Sequence, residues 1–328
     1  MIHRRAFLIG LVTALTGIRA SVSAEQRPAR QVPRIALLSP SRESAQNVAR
    51  MEVEAGLRQL GWKPGENVIV DGRTGAIDRL PELAAELVRL KVDMILASSE
   101  ALPAARAATA TIPILMTFCI DDPVEAGYVM SLGHPGTNIT GIFLQAPEAG
   151  GKRLEFLRAA IPNLRRVAVV SWRGRNSAKQ IDAVETAGGS LGVRVQVVEM
   201  NDRSTYDSAF GTMGKEGVKA ALVLASAVSF TERPRIIELA ARHRIALAAP
   251  FREYAEAGAL IGYGANIREL WRERVPLYVD RILRGARPAD MPVEQPTKFE
   301  LVLNLKTAKT LGLSIPPSLL ARANDVIQ

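Results

Sequence analysis

Residues 34–71 read RIALLSPSRESAQNVARMEVEAGLRQLGWKPGENVIVD. The short apolar run at 34–38 reads as a strand. Residues 43–60 place apolar side chains three and four apart and stop at Leu60-Gly61, as an amphipathic helix with a glycine end does. A second strand follows at 67–71. Strand, helix and strand in this order make a parallel pair joined by a helical crossover. The same alternation continues outward along the chain. Further strands are expected at 93–97, 113–117, 167–171, 193–198, 220–224 and 246–249, with helices at 80–90, 101–110, 152–160, 178–188, 206–213 and 232–242. The fold class is therefore α/β, with parallel sheets flanked by helices on both faces.

The alternation comes in two blocks. The first runs from Arg34 to about Gly141; the second begins after the loop-like QAPEAGG at 145–151 and runs to about Gly264. A helix candidate at 267–285 follows, then an extended connection carrying Pro288, Pro292 and Pro296, then a tail at 299–328 read as a strand and short helices broken at Pro316-Pro317. Two similar blocks followed by a helix of neither point to two lobes joined by several chain crossings. Residues 32–145 with 266–291 are expected to form the first lobe, and 146–265 with 298–328 the second. Ligands of parallel sheets sit beyond the carboxyl ends of the strands. Two facing lobes bring those ends to one cleft.

The strand exits are small and polar. Ser39 leaves the first strand, and Ser98-Ser99-Glu100 the third, where Ser99 either caps the next helix or helps its free N–H groups seat an anion. Thr117 opens the exit TFCIDD, in which Asp121 and Asp122 either hold an ammonium group or, before Pro123, cap a helix. The turn-rich HPGTNITG at 134–141 brings Asn138 and Thr140 to the expected floor of the cleft. In the second block Trp172 heads the exit Trp172-Arg173-Gly174-Arg175-Asn176 and either stacks on a ligand or packs. Ser226 and Arg252 leave later strands; Arg252 either forks onto a carboxylate or pairs with Glu253 or Glu256. The candidate ligand-binding set is thus Ser39, Ser98, Ser99, Thr117, Asp122, Asn138, Thr140, Trp172, Ser226 and Arg252.

The chain opens with MIHRR, an apolar stretch to Ile18, and Val22-Ser23-Ala24 at the spacing a signal peptidase reads. A leader at 1–24 cleaved after Ala24 is expected, with Arg4-Arg5 resembling a twin-arginine export signal. Cys119 is the sole cysteine, so no intramolecular disulfide and no lipid-bearing cysteine near the cleavage site are expected. The net charge of +9 is spread without a basic tract, and five tyrosines and eight phenylalanines do not interleave with it, which argues against a nucleic-acid surface. Three histidines and one cysteine give no zinc spacing. Gly-x-Ser-x-Gly, phosphate-loop and dinucleotide motifs are absent from the sequence. Recognition groups without a nucleophile and base describe a binder, with no enzyme activity, cofactor or metal expected.

Several segments together resemble a bacterial family of ABC transporter substrate-binding proteins of the type I periplasmic fold, which includes tryptophan and tyrosine binders. They are DRLPELAAELV (78–88), TIPI (111–114), DPV (122–124), PGTNITG (135–141), GKRLE (151–155), REYAEAG (252–258) and the tail at 292–308. The resemblance implies two Rossmann-like lobes, a three-segment hinge, and a small, carboxylate-bearing or amino-acid-like solute captured between the lobes. It further implies a monomer that delivers the solute in the periplasm to an inner-membrane ABC permease. The alternative is a sensing module that presents its closed form to a membrane receptor. Glu100, Asp121, His134, Thr137 and the exit at Trp172 depart from the family pattern, so the ligand is expected to differ from that of better understood relatives.

Overall fold

The opening segment folds as its pattern requires. In this computed structural model, β1 (Arg34–Ser39) and β2 (Ile69–Thr74) pair in parallel, with Arg34 opposite Ile69 and Ser39 opposite Thr74. The helix Glu43–Gln59 between them buries Ala49, Val53 and Leu57. The structure describes residues 32–144, 146–172, 178–201 and 203–328. The expected leader at 1–24, with Arg4-Arg5, and the exit residues Arg173, Gly174, Arg175 and Asn176 lie outside the described residues.

Three more strands complete the first sheet: β3 (Met94–Ser98), β4 (Ile114–Cys119) and β5 (Ile139–Phe143), in the order β2-β1-β3-β4-β5, all parallel. The second sheet holds β6 (Arg166–Trp172), β7 (Arg194–Met200), β8 (Ala220–Val223), β9 (Ala246–Ala249), β10 (Ile261–Ala265), β11 (Phe299–Asn304) and β12 (Asp325–Ile327). Its order is β12-β11-β10-β9-β8-β6-β7, and only β10 and β11 run antiparallel. The fold is therefore two α/β lobes, with the tail strands β11 and β12 on the second sheet.

Three strands escaped the sequence reading, β5, β10 and the short β12, and glycine is the reason for the first two. Residues 134–141 read as turn, yet β5 begins inside them. Gly141 sits at φ +136, where a Cβ would stand 2.3 Å from the Met116 carbonyl oxygen of the neighbouring strand. In β10 a Cβ on Gly264 would meet the Pro250 oxygen at 2.0 Å. Close backbone approach demands glycine at these positions, and glycine makes a strand look like a loop.

Residues 267–283 form one helical stretch with a π turn at Leu270–Arg274. It lies on the first lobe: Gly56 lets the helix Glu43–Gln59 come so near that a Cβ there would sit 2.0 Å from the Arg272 oxygen. The Trp62 indole N–H also donates to Asp280 Oδ1 at 2.8 Å. The chain passes between the lobes after β5, after β10 and again before β11. In the third passage Glu294 exchanges backbone hydrogen bonds with Gly141 and Phe143, tying the connection to the edge of the first sheet. Among the described residues, no helix is long and apolar enough to cross a membrane.

Candidate functional site

The carboxyl ends of β1, β3 and β4 open onto a cavity with an empty volume of about 610 Å³, its mouth included. The first lobe supplies Ser39, Ser98 and Thr117, together with Gln46 and Val53 from the helix Glu43–Gln59. The second lobe supplies Ala227, Phe230 and Thr231 from the start of the helix Ala227–Arg242, and Trp271 comes from the connecting helix. The walls thus belong to both lobes. Among the described residues lining it, none is charged.

Local geometry explains why hydroxyls gather here. Between β3 and β4 the register slips, so that Ala97 faces Met116 while Ser98 faces Phe118. Thr117 is the extra residue, a bulge that turns both Thr117 and Phe118 toward the cavity where strict alternation would offer one of them. Thr117 Oγ1 donates to the Ala97 oxygen at 3.3 Å. The Ser39 and Ser41 hydroxyls are 2.6 Å apart. Gln46, only 9% exposed, uses its Nε2 on Arg73 O (3.0 Å), Leu37 O and Ser39 Oγ (both 3.3 Å), which locks the strand exit to the helix. The Ser98 hydroxyl differs: it is buried and has no hydrogen-bond partner.

An aromatic group closes the inner wall. Phe118 of the first lobe meets Phe251 of the second edge-on, with ring centroids 5.3 Å apart. Phe230 packs edge-on against Phe251 at 6.0 Å and Trp271 at 5.9 Å. Polar contacts also cross the cleft. Glu100 Oε1 accepts from the Ala227 N–H at 2.7 Å, at the amino end of the helix, where a negative charge is favoured. Arg42 pairs with Glu232 at 2.8 Å, and Lys179 pairs with Glu125. The lobes are closed on each other.

Of the expected binding residues, Ser39, Ser98 and Thr117 come together in this cavity; the others lie elsewhere. Ser99 does not cap a helix. Its hydroxyl accepts from the Ile120 N–H at 3.2 Å, and it lines a separate hollow with Glu100, Asp121 and Tyr128. Asp122 accepts from Val124 N at 2.8 Å and Glu125 N at 3.3 Å, which caps a turn at 123–127 and not the expected helix. Asn138 precedes β5 and so stands at the amino ends of the strands, where its amide holds Ile112 O at 2.7 Å and Thr109 O at 3.3 Å. Thr140 is fully buried inside β5 and donates to Met291 O at 2.6 Å, tethering the third passage. Ser226 forms a capping box with Ser229 and presents its neighbour Ala227 to the cavity instead of itself.

Trp172 and Arg252 likewise lie outside this cavity. Trp172 is 2% exposed, and its indole N–H donates to the Tyr206 hydroxyl at 2.8 Å. Packing, not stacking, is its role in this geometry. Arg252 pairs with Glu256 at 3.0 Å, Glu300 at 2.9 Å and Asp325 at 2.6 Å, which fastens the tail strands to the second lobe. The residues that replace them at the cavity are Phe118, Phe230, Trp271 and Gln46. Gln46 left a signal in the sequence, a polar side chain on the same helical stripe as Ala49 and Val53.

With this geometry in view, the comparisons with known proteins become specific. The ABC transporter substrate binding protein family matches residues 34–327. The tyrosine-binding protein of Clostridioides difficile (strain R20291) is 27% identical over 264 residues, covering 78% of this chain and 74% of that protein. Among solved structures, an ABC domain from Streptococcus pneumoniae in complex with L-Trp overlays with a TM-score of 0.81 at 23% identity, covering 90% of this chain and 99% of that one. A ligand-free, open substrate binding protein with adhesive properties from Clostridium difficile overlays at 0.62 with 25% identity, covering 90% and 100%.

Proposed function

We propose a function on one premise: this chain belongs to the ABC transporter substrate-binding protein family, whose members bind small solutes and perform no chemistry on them. It captures an amino-acid-like solute with a flat or apolar side chain, closes its lobes over it, and delivers it to an inner-membrane ABC permease. The observation that carries this reading is the cavity itself, walled by both lobes and holding an unpaired Ser98 hydroxyl. A buried hydroxyl without a partner is costly unless something else satisfies it. Phe118, Phe230 and Trp271 offer apolar cover for a side chain, while Ser39, Ser98 and Thr117 offer hydrogen bonds to the polar end. The tyrosine-binding relative supports an aromatic amino acid as the first candidate. In this reading the segment 1–24 is a leader that directs export to the periplasm, cleavage leaves Glu25 as the first residue, and the mature chain acts as a monomer.

Thermal-shift screening of the purified protein against the amino acids tests the reading, followed by calorimetry of the best solute. A stabilising, saturable aromatic or apolar amino acid is expected. Small-angle scattering should then show a smaller radius of gyration with solute, because closure requires that the solute bind the closed form better than the open one. No amino acid binding at millimolar concentration would overturn the proposal.

A further inference from the structure

Arg153 stands apart from every other charged residue in the second lobe. It lies on the helix Ala146–Ala160, is 1% exposed, and has no carboxylate in ion-pair reach among the described residues. Its guanidinium makes one hydrogen bond to protein, to the Val223 oxygen at 3.0 Å at the carboxyl end of β8. Its Nε is buried and has no partner. The side chain borders a small cavity, with an empty volume of about 240 Å³, its open mouth included, walled by Ala225, Pro250, Phe251, Gly264 and Phe299. These residues lie at the carboxyl ends of β8, β9 and β10 and beside the chain passages. Phe251 therefore separates this cavity from the larger one, whose Phe118 and Phe230 it touches.

A guanidinium deprived of water and counter-charge is expensive, and it keeps its proton nonetheless: burial pulls Arg153 down only to about 10, well above neutral pH. Neutralisation by proton loss, open to a buried lysine, is closed to it. The side chains of Tyr254 and Tyr263 also act on its charge, and the cavity it borders leaves room for a negative partner. We propose that Arg153 and its cavity form a binding site for a monovalent anion, either a free halide or the carboxylate of a bound solute. A site of this size suits a compact, singly charged group, which the guanidinium would hold through Nε–H.

The first measurements use the purified protein without solute, so their failure is distinguishable from failure of the main-cavity reading. Unfolding midpoints are followed in sodium chloride and in sodium sulfate at matched ionic strength. A saturable rise of about 2 °C specific to chloride is expected. Arg153→Met should abolish the chloride-specific part. Crystals soaked in bromide should show an anomalous peak about 3 Å from the Arg153 guanidinium, a measurement that holds even if the variant fails to fold. Chloride that competes with the solute identifies the solute's carboxylate as an alternative occupant, whereas chloride without effect on solute affinity identifies a free-halide site. Equal responses to the two salts with no bromide peak overturn the proposal, and leave Arg153 as a strand-end clamp on Val223. Bromide in crystals without chloride-specific stabilisation in solution, an adventitious ion only, overturns it too.

Discussion

The carboxyl edges of the two sheets face the same cleft, yet they carry opposite designs. In the first lobe Ser39, Ser98 and Thr117 border the cavity, and Ser98 keeps its hydroxyl unpaired. The second lobe's equivalent polar groups are spent internally. Trp172 is bonded to Tyr206, Ser226 and Ser229 cap each other, and Arg252 is gripped by three carboxylates. What the second lobe presents instead is the face of a helix start, with Ala227, Phe230 and Thr231. A polar, receptive lobe meets a preformed lid. Substitutions at the first edge should therefore act on affinity and those at the second on stability.

The sharpest test sets two tryptophans side by side. Trp172→Ala empties a fully buried site and orphans the Tyr206 hydroxyl, so unfolding by denaturant should show a loss of about 3–5 kcal/mol. Trp271 is half-buried at the cavity wall. Trp271→Ala should weaken the solute found by screening by about 1–3 kcal/mol in calorimetry. If the affinity loss instead follows Trp172, the comparison between the edges is broken. Solute-dependent tryptophan emission gives a second reading, since Trp62→Phe with Trp172→Phe should preserve the shift and Trp271→Phe should remove it.

How much of this was legible beforehand follows from what sequence periodicity records. The alternation over 34–71 gave β1, the helix Glu43–Gln59 and β2 directly, because periods of two and 3.6 residues report which faces are buried. It missed β5 and β10, whose glycines answer to neighbouring backbone and not to a face, and it missed the three-residue β12, too short to show a period. Within the site, Ser39, Ser98 and Thr117 were readable as strand exits. Phe118 was not, since only the bulge brings it beside Thr117. The roles of Trp172 and Arg252 depend on partners far along the chain, Tyr206 and Asp325, and no local pattern announces such a pairing.

Ser98 sharpens the contrast through opposite signs. Ser98→Ala removes a buried hydroxyl that has no partner, so the solute-free protein should be unchanged or slightly more stable in denaturant. If the hydroxyl bonds the solute, the same substitution should weaken affinity by about 1 kcal/mol. A loss of stability with unaltered affinity would make Ser98 part of the scaffold.

The smallest effect belongs to Arg252, and its pH dependence separates a structural role from a binding one. Arg252 is partly exposed, so Arg252→Ala should cost about 1 kcal/mol of stability near neutral pH and leave solute affinity within error. Burial holds the Glu300 carboxyl above its usual range, and the Arg252 charge and hydrogen bond pull it back down. Without Arg252 it rises further. A carboxyl raised in the folded state favours folding while protonated, and that contribution is lost as pH climbs through its folded value. The penalty of Arg252→Ala should accordingly be slight at about pH 3, where Glu300 is protonated in the folded and the unfolded chain alike. It should grow toward pH 7, where Glu300 is left with a buried charge and no arginine. A penalty equal at both pH values would mean that Arg252 contributes packing alone, and a penalty in solute affinity would return it to the cleft.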